Sequence, residues 1–145
     1  MEIKHIYLDS KVTFKQFGAD FQLKFNIDLN SCTTLCMGFF LLKEELSRSL
    51  SIQFSNYLLI LKLTPGKYSS FENLNSIQKV FKGNIAMNEL EYLLFYLLKI
   101  YRDGFAETEH IDISFASSDN AEVMLTVSCE DYLEYSEEQV KNMLK

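Results

Sequence analysis

Two histidines, three cysteines and a dense set of carboxylates are the side chains in this sequence with chemistry to offer. Nucleophilic catalysis needs a serine or cysteine, a histidine base and an acidic group to orient that base. His5 falls inside a strand-like N-terminal run and His110 opens a late one, and no GxSxG or similar local motif accompanies either. Both read as ordinary strand histidines. Cys32 and Cys36 are spaced CxxxC, which is neither the redox CxxC pair nor half of a zinc site with a visible second half. With Cys129 they form an odd, sparse set, as expected for packed free thiols. The glycines stand at 18, 38, 66, 83 and 104, so no GxGxxG or Walker loop can be drawn through them. No HExxH and no EF-hand loop occurs. Carboxylates are plentiful in the last third, but a hydrolase using two of them needs a cleft around the pair. The expectation is a protein that is not an enzyme, with no catalytic, cofactor-binding or metal-ligating residue.

Charge is the uneven feature. The chain carries 20 acids against 14 bases, a formal net charge of −6. From Asp103 through Val140 there are eleven acidic residues and neither Lys nor Arg, whereas residues 1–102 hold nine acids against twelve bases. Surfaces ordinarily mix both signs. A concentrated single-sign field attracts a partner of opposite sign and speeds its encounter. Inside the acidic third, Glu130, Asp131, Tyr132, Glu134, Tyr135, Glu137 and Glu138 set aromatic rings between carboxylates. Tyrosine combines rigid contact area with a polar tip and is enriched at binding hot spots. These seven residues are the candidate partner-binding set. The same aromatics would equally serve to dock the segment on the core, so both roles stand open here. An acidic chain lacks the basic footprint that phosphate contacts require, which argues against a nucleic-acid partner. Lys11, Lys15 and Lys24 read as a solvated strand face.

The elements that would carry these residues follow from periodicity. Phe21, Leu23, Phe25, Ile27 and Leu29 alternate with polar residues, the period of a half-buried strand. Val12–Phe17 precedes it across Gly18-Ala19-Asp20, and Ile3–Leu8 opens the chain, so the start reads as a β-meander. Leu35, Phe39, Leu42, Leu46 and Leu50 recur at helical spacing, with Ser31, Thr33 or Thr34 as a cap and Arg48 near the end. A buried strand over part of that run is the alternative. Tyr57–Leu63 predicts a central strand covered on both faces, and residues 65–83 suggest a short helix through Leu74, Ile77, Val80 and Phe81. Asn88-Glu89-Leu90-Glu91, a capping-box variant, opens the clearest helix, with one face filled by Leu90, Leu93, Leu94, Leu97, Ile100 and Tyr101 and with Gly104 as its stop. Two alternating runs, Ile111–Phe115 and Val123–Val127, make an antiparallel hairpin, and Ser136–Lys145 closes as a helix. The whole, 1–145, reads as one α+β domain, an antiparallel or mixed sheet with about three helices. Its 145 residues, 48% hydrophobic with 5 Gly and 1 Pro, suffice for a core without disulfide or metal staples. No apolar run reaches the roughly 20 residues a membrane span needs, and Met1–His5 does not open like a secretion signal. The expected location is the cytoplasm.

Small, acidic and motif-poor, with the Tyr-rich stretch Glu130–Glu138, the chain resembles the immunity proteins of bacterial toxin–immunity systems, including contact-dependent growth inhibition. That resemblance lies in overall profile and carries over no residue position. It implies a protein-binding inhibitor that covers the basic active cleft of a partner, such as a toxin's nuclease domain, with an acidic surface. Two other classes fit the same composition. A secretion-type chaperone or assembly subunit would expose a large apolar patch, and an enzyme or small-ligand binder would assemble its site from distant residues.

Overall fold

The computed structural model describes residues 2–75, 77–117, 121–130 and 141–144. Nine strands join in one mixed sheet: β1 (Glu2–Tyr7), β2 (Thr13–Phe17), β3 (Asp20–Ile27), β4 (Ser47–Gln53), β5 (Leu58–Thr64), β6 (Ser70–Asn75), β7 (Val80–Ala86), β8 (His110–Ser117) and β9 (Glu122–Cys129). Helix α1 (Leu29–Lys43) lies between β3 and β4, and α2 (Met87–Asp103) between β7 and β8. Residues 141–143 are also helical. The spatial order is β1-β4-β5-β7-β6-β8-β9-β3-β2. The architecture is α+β, as the alternating and helical periods together predict.

Strand alternation decides which face is buried. On β3, Leu23, Phe25 and Ile27 point inward, and they lie opposite Leu125, Val127 and Cys129 of parallel β9. Ile111, Ile113 and Phe115 of β8 continue the same layer. Both helices cover this inner face. Helix α1 passes so close to β4 that a Cβ added at Gly38 would stand 2.8 Å from Leu50 Cδ1. Helix α2 buries Leu90, Leu93, Leu94, Leu97 and Ile100. The sheet curls around this core. Phe14 of edge strand β2 lies 5.3 Å, ring to ring, from Phe81 near the middle of the sheet order. The Asn56 side chain ties the two regions further, accepting from the Val12 N–H at 2.9 Å and donating to the Val12 carbonyl at 2.8 Å.

Several expectations are corrected. The N-terminal strands are not a meander, because β1 pairs parallel with β4 at the opposite edge from β2. A parallel pair needs a long crossover, and the β2–β3 hairpin with α1 supplies it. Helix α1 starts earlier and ends earlier than the leucine spacing suggests. Asp28 is its cap, accepting the Ser31 N–H at 2.8 Å while Ser31 Oγ accepts the Asp28 N–H at 2.9 Å. Leu46 lies beyond the helix, Leu50 belongs to β4, and Arg48 is a strand residue. Residues 70–75 and 80–86 are strands β6 and β7 rather than parts of a helix. Strand β5 is interior to the sheet but covered on one face only, with Lys62 exposed on the other. Helix α2 has no side-chain cap bond at its N-terminus. There the Ser69 hydroxyl accepts the Ala86 N–H at 2.8 Å and donates to Glu89 at 2.6 Å, replacing the expected Asn88–Glu91 box. Tyr101, expected on the buried face, is 64% exposed. Gly104 does stop the helix, in the left-handed conformation at φ 80°. Among the described residues no helix is long and apolar enough to cross a membrane.

The α1 cap has a pH signature. Hydrogen bonds from Ser31 hold the Asp28 carboxyl below the usual carboxylate range. Its pKa is lower folded than unfolded, so its stabilisation is complete above about pH 4 and is lost as pH falls through the folded value. Asp28→Ala should cost about 1 kcal/mol at neutral pH, as cap removals do. Urea unfolding of both proteins at neutral and acidic pH checks this, and the difference should shrink in acid.

Candidate functional site

Where β1 and β3 end and α1 begins, the chain leaves an open cleft of about 370 Å³. Asp9, Asp28 and Glu130 supply its charge, and Ser10, Asn26, Asn30, Ser31 and Thr34 supply neutral polar groups. Among the described residues no Lys, Arg or His lines it. Three independent elements bring the carboxylates together. The β1–β2 connection is pinned across the sheet end, with Ser10 Oγ donating to the Asn26 carbonyl at 2.9 Å. Asp28 is fixed as the helix cap. The Glu130 N–H donates to the Ile27 carbonyl at 3.0 Å, extending the β9–β3 pairing by one residue. Ser31 keeps Asp28 ionised, so the cleft presents negative charge at neutral pH.

Of the seven sequence-derived candidates, Glu130 is the one placed here; Asp131, Tyr132, Glu134, Tyr135, Glu137 and Glu138 lie outside the described residues. Asp9 and Asp28 are the additions that sequence reading missed. Asp28 stands where the alternating run gives way to Asn30-Ser31, a helix-entry signal, but Asp9 reaches the site only through tertiary packing. Four other acids of the C-terminal third have local partners instead. Asp103 pairs with Arg102 at 2.8 Å, and Glu107 pairs with Lys99 at 2.9 Å. Asp112 accepts from Thr126 Oγ1 at 2.6 Å and lies 3.6 Å from His110 Nε2. Glu122 accepts from Ser114 at 2.9 Å.

The potential nucleophiles sit elsewhere. Cys32 is buried beneath α2, its thiol donating to the Leu97 carbonyl at 3.2 Å. Its hydrogen bond with the Cys36 sulfur and its burial push its pKa far up. Cys36, one turn along and half-buried, titrates below an ordinary thiol because Cys32 donates to its thiolate. Cys129 is buried as well. Iodoacetamide should modify Cys36 first in the folded protein, with Cys32 and Cys129 reacting only after denaturation. Mass spectrometry of peptides after timed labelling checks the order, and equal labelling of all three would contradict it. His5 lies on β1 and His110 at the start of β8, both exposed. Among the described residues no three His, Cys, Asp or Glu side chains gather as metal ligands. A second cavity, about 600 Å³, opens at the N-terminus of α2 between Lys67, Glu89, Ser114, Ser117 and Glu122. Glu89 is held there by Ser69, and among the described residues no cysteine or histidine lines the space.

What this arrangement can do is receive positive charge. A guanidinium or ammonium group entering the cleft would meet carboxylates with no competing cation among the described lining residues. No protein-family model matches the chain, and no curated protein matches it.

Proposed function

We propose that this protein is a cytoplasmic, non-enzymatic inhibitor that binds a basic protein partner and covers its active cleft with an acidic surface. The nuclease domain of a toxin is the kind of partner whose cleft has the required charge. One observation carries the reading: Asp9, Asp28 and Glu130 share a cleft whose described lining residues include no cation, and Glu130 begins the run of acids and tyrosines to Glu138. Carboxylates placed this way occupy the positions that nucleic-acid phosphates would take on such a partner. Inhibition then requires no chemistry from this chain. It follows from occlusion, and its rate from electrostatic steering.

The experiment is capture of the tagged protein's partner from its native lysate at low salt, followed by assay of the partner's own activity. One basic protein should be recovered, released by high salt and inactive at a one-to-one ratio. A partner that remains fully active in the complex would contradict occlusion.

A second reading, the chaperone or assembly subunit, draws on the helices. Met37 and Phe40 on α1, and Tyr92, Phe95, Leu98 and Tyr101 on α2, are all large apolar side chains turned to solvent, with Phe95 63% exposed. Exposed apolar area on this scale is a mark of protein contact. Light scattering after size exclusion separates the readings, since a chaperone of this type is expected to be dimeric and the inhibitor monomeric.

A further inference from the structure

The sheet face opposite the helices carries a second charged site, of the other sign. A groove of about 440 Å³ crosses the outer face of β1, β4, β5, β7 and β6, lined by Ile3, Arg48, Ser49, Ile60, Lys62, Glu72, Lys82 and Gly83. Three cations therefore share one groove with one carboxylate, in a chain whose net charge is −6. None of the three makes an ion pair among the described residues. Glu72 is held by Asn84, whose Nδ2 donates to it at 2.9 Å.

The backbone is adapted to this grouping. Strict alternation would send Arg48 inward with Leu50 and Ile52. The β1–β4 register slips between Glu2↔Ser47 and Ile3↔Ser49, leaving Arg48 as the extra residue. The β6–β7 register slips likewise between Phe71↔Gly83 and Asn73↔Lys82, leaving Glu72 as the extra residue. Bulges re-aim side chains and cluster beside functional sites. Here two separate bulges deliver their extra residues to the same groove, where regular strand positions already place Lys62 and Lys82. A small side chain keeps the floor open, since Ser49 is buried there.

We propose that this groove binds a small phosphorylated molecule of nucleotide size that also carries hydroxyl or amino donors. Arg48, Lys62 and Lys82 take the phosphate oxygens by charge-assisted hydrogen bonds. Glu72 repels phosphate and so calls for a donor elsewhere on the ligand, and Ile3 and Ile60 give an apolar shelf beside it. The volume is in the range of small-ligand pockets, roughly 300–1,000 Å³. A long nucleic acid is disfavoured because the acidic remainder of the surface repels a polyanion that a small ligand avoids.

The test is titration of the isotope-labelled full chain at low ionic strength with ATP, with inorganic tripolyphosphate and with a single-stranded oligonucleotide, read by amide chemical shifts. ATP should shift amides at 48–49, 60–62, 72 and 82–83 saturably. Lys62→Gln combined with Lys82→Gln, both exposed positions, should weaken ATP by about tenfold or more, the loss expected for charge-assisted bonds. Glu72→Gln should weaken ATP while leaving tripolyphosphate unchanged or tighter. Several results would overturn the proposal: no saturable shift up to about 10 mM ATP, unchanged affinity in the double variant, tripolyphosphate binding more tightly than ATP, or an oligonucleotide binding more tightly than either.

Discussion

Phe81→Ala should lower the free energy of unfolding by about 3–5 kcal/mol, the cost of emptying a fully buried aromatic site. Phe81 is 1% exposed on the inner face of β7. Its ring meets Tyr57 at 4.8 Å and Phe14 at 5.3 Å, and Phe14 in turn stacks on Phe21 at 5.3 Å. The contact with Phe14 fastens an outer strand to the middle of the sheet. Truncation therefore removes both core volume and the contact that holds the curl. Phe14→Ala, at a half-buried position, should cost less. The double variant should lose less than the two single losses combined, because both delete one shared contact. Urea unfolding of the four proteins measures this. A cost below about 1 kcal/mol for Phe81→Ala would mean the site collapses freely, and the curled sheet would not depend on that ring.

Reversing Glu130, Asp131 and Glu134 together to lysine should weaken binding of the basic partner while leaving the thermal midpoint nearly unchanged. Loss of one carboxylate that is buried and paired in the complex costs about 2–5 kcal/mol of affinity, and reversal adds repulsion to that loss. Glu130 is exposed and, among the described residues, meets the fold through its backbone N–H. Its side chain is thus available to a partner at little cost to stability. Salt dependence should fall with affinity, since screening acts on the same charges. Calorimetry at two salt concentrations reads both effects, and unchanged affinity in the variant would remove the acidic segment from the account.

Local pattern and long-range pairing divide what could be read in advance. Strands β3, β8 and β9 are legible because their apolar residues alternate, and β2 is joined to β3 through Gly18, a sequence-level turn signal. Helix α2 is legible through its leucine stripe and Gly104. Strand β6 is not, and the reason is physical: Glu72 is an extra residue in the ladder, so the period of two breaks within the strand. Val80 and Phe81, read beside Leu74 and Ile77, then mimic helical spacing. The end of α1 is obscured because Leu46 and Leu50 continue the helical spacing past Lys43, although Leu50 faces the core from β4. The strand order depends on pairing between distant segments, which local periodicity does not encode. Part of the candidate site was visible as charge, since Glu130 heads the acidic run. Asp9 joins it through the Ser10–Asn26 bond, and Arg48 reaches the opposite face through a register slip, so neither placement has a local signature.

The most direct test of an acidic surface built for a basic partner is side-by-side capture. Wild type and the Glu130/Asp131/Glu134 charge-reversal variant would be offered the same native lysate at low salt, and the bound proteins identified by mass spectrometry. The account predicts one stoichiometric basic protein on the wild type, eluted by salt and missing from the variant. Equal recovery of that protein on both, or a bare wild-type bait, would contradict it.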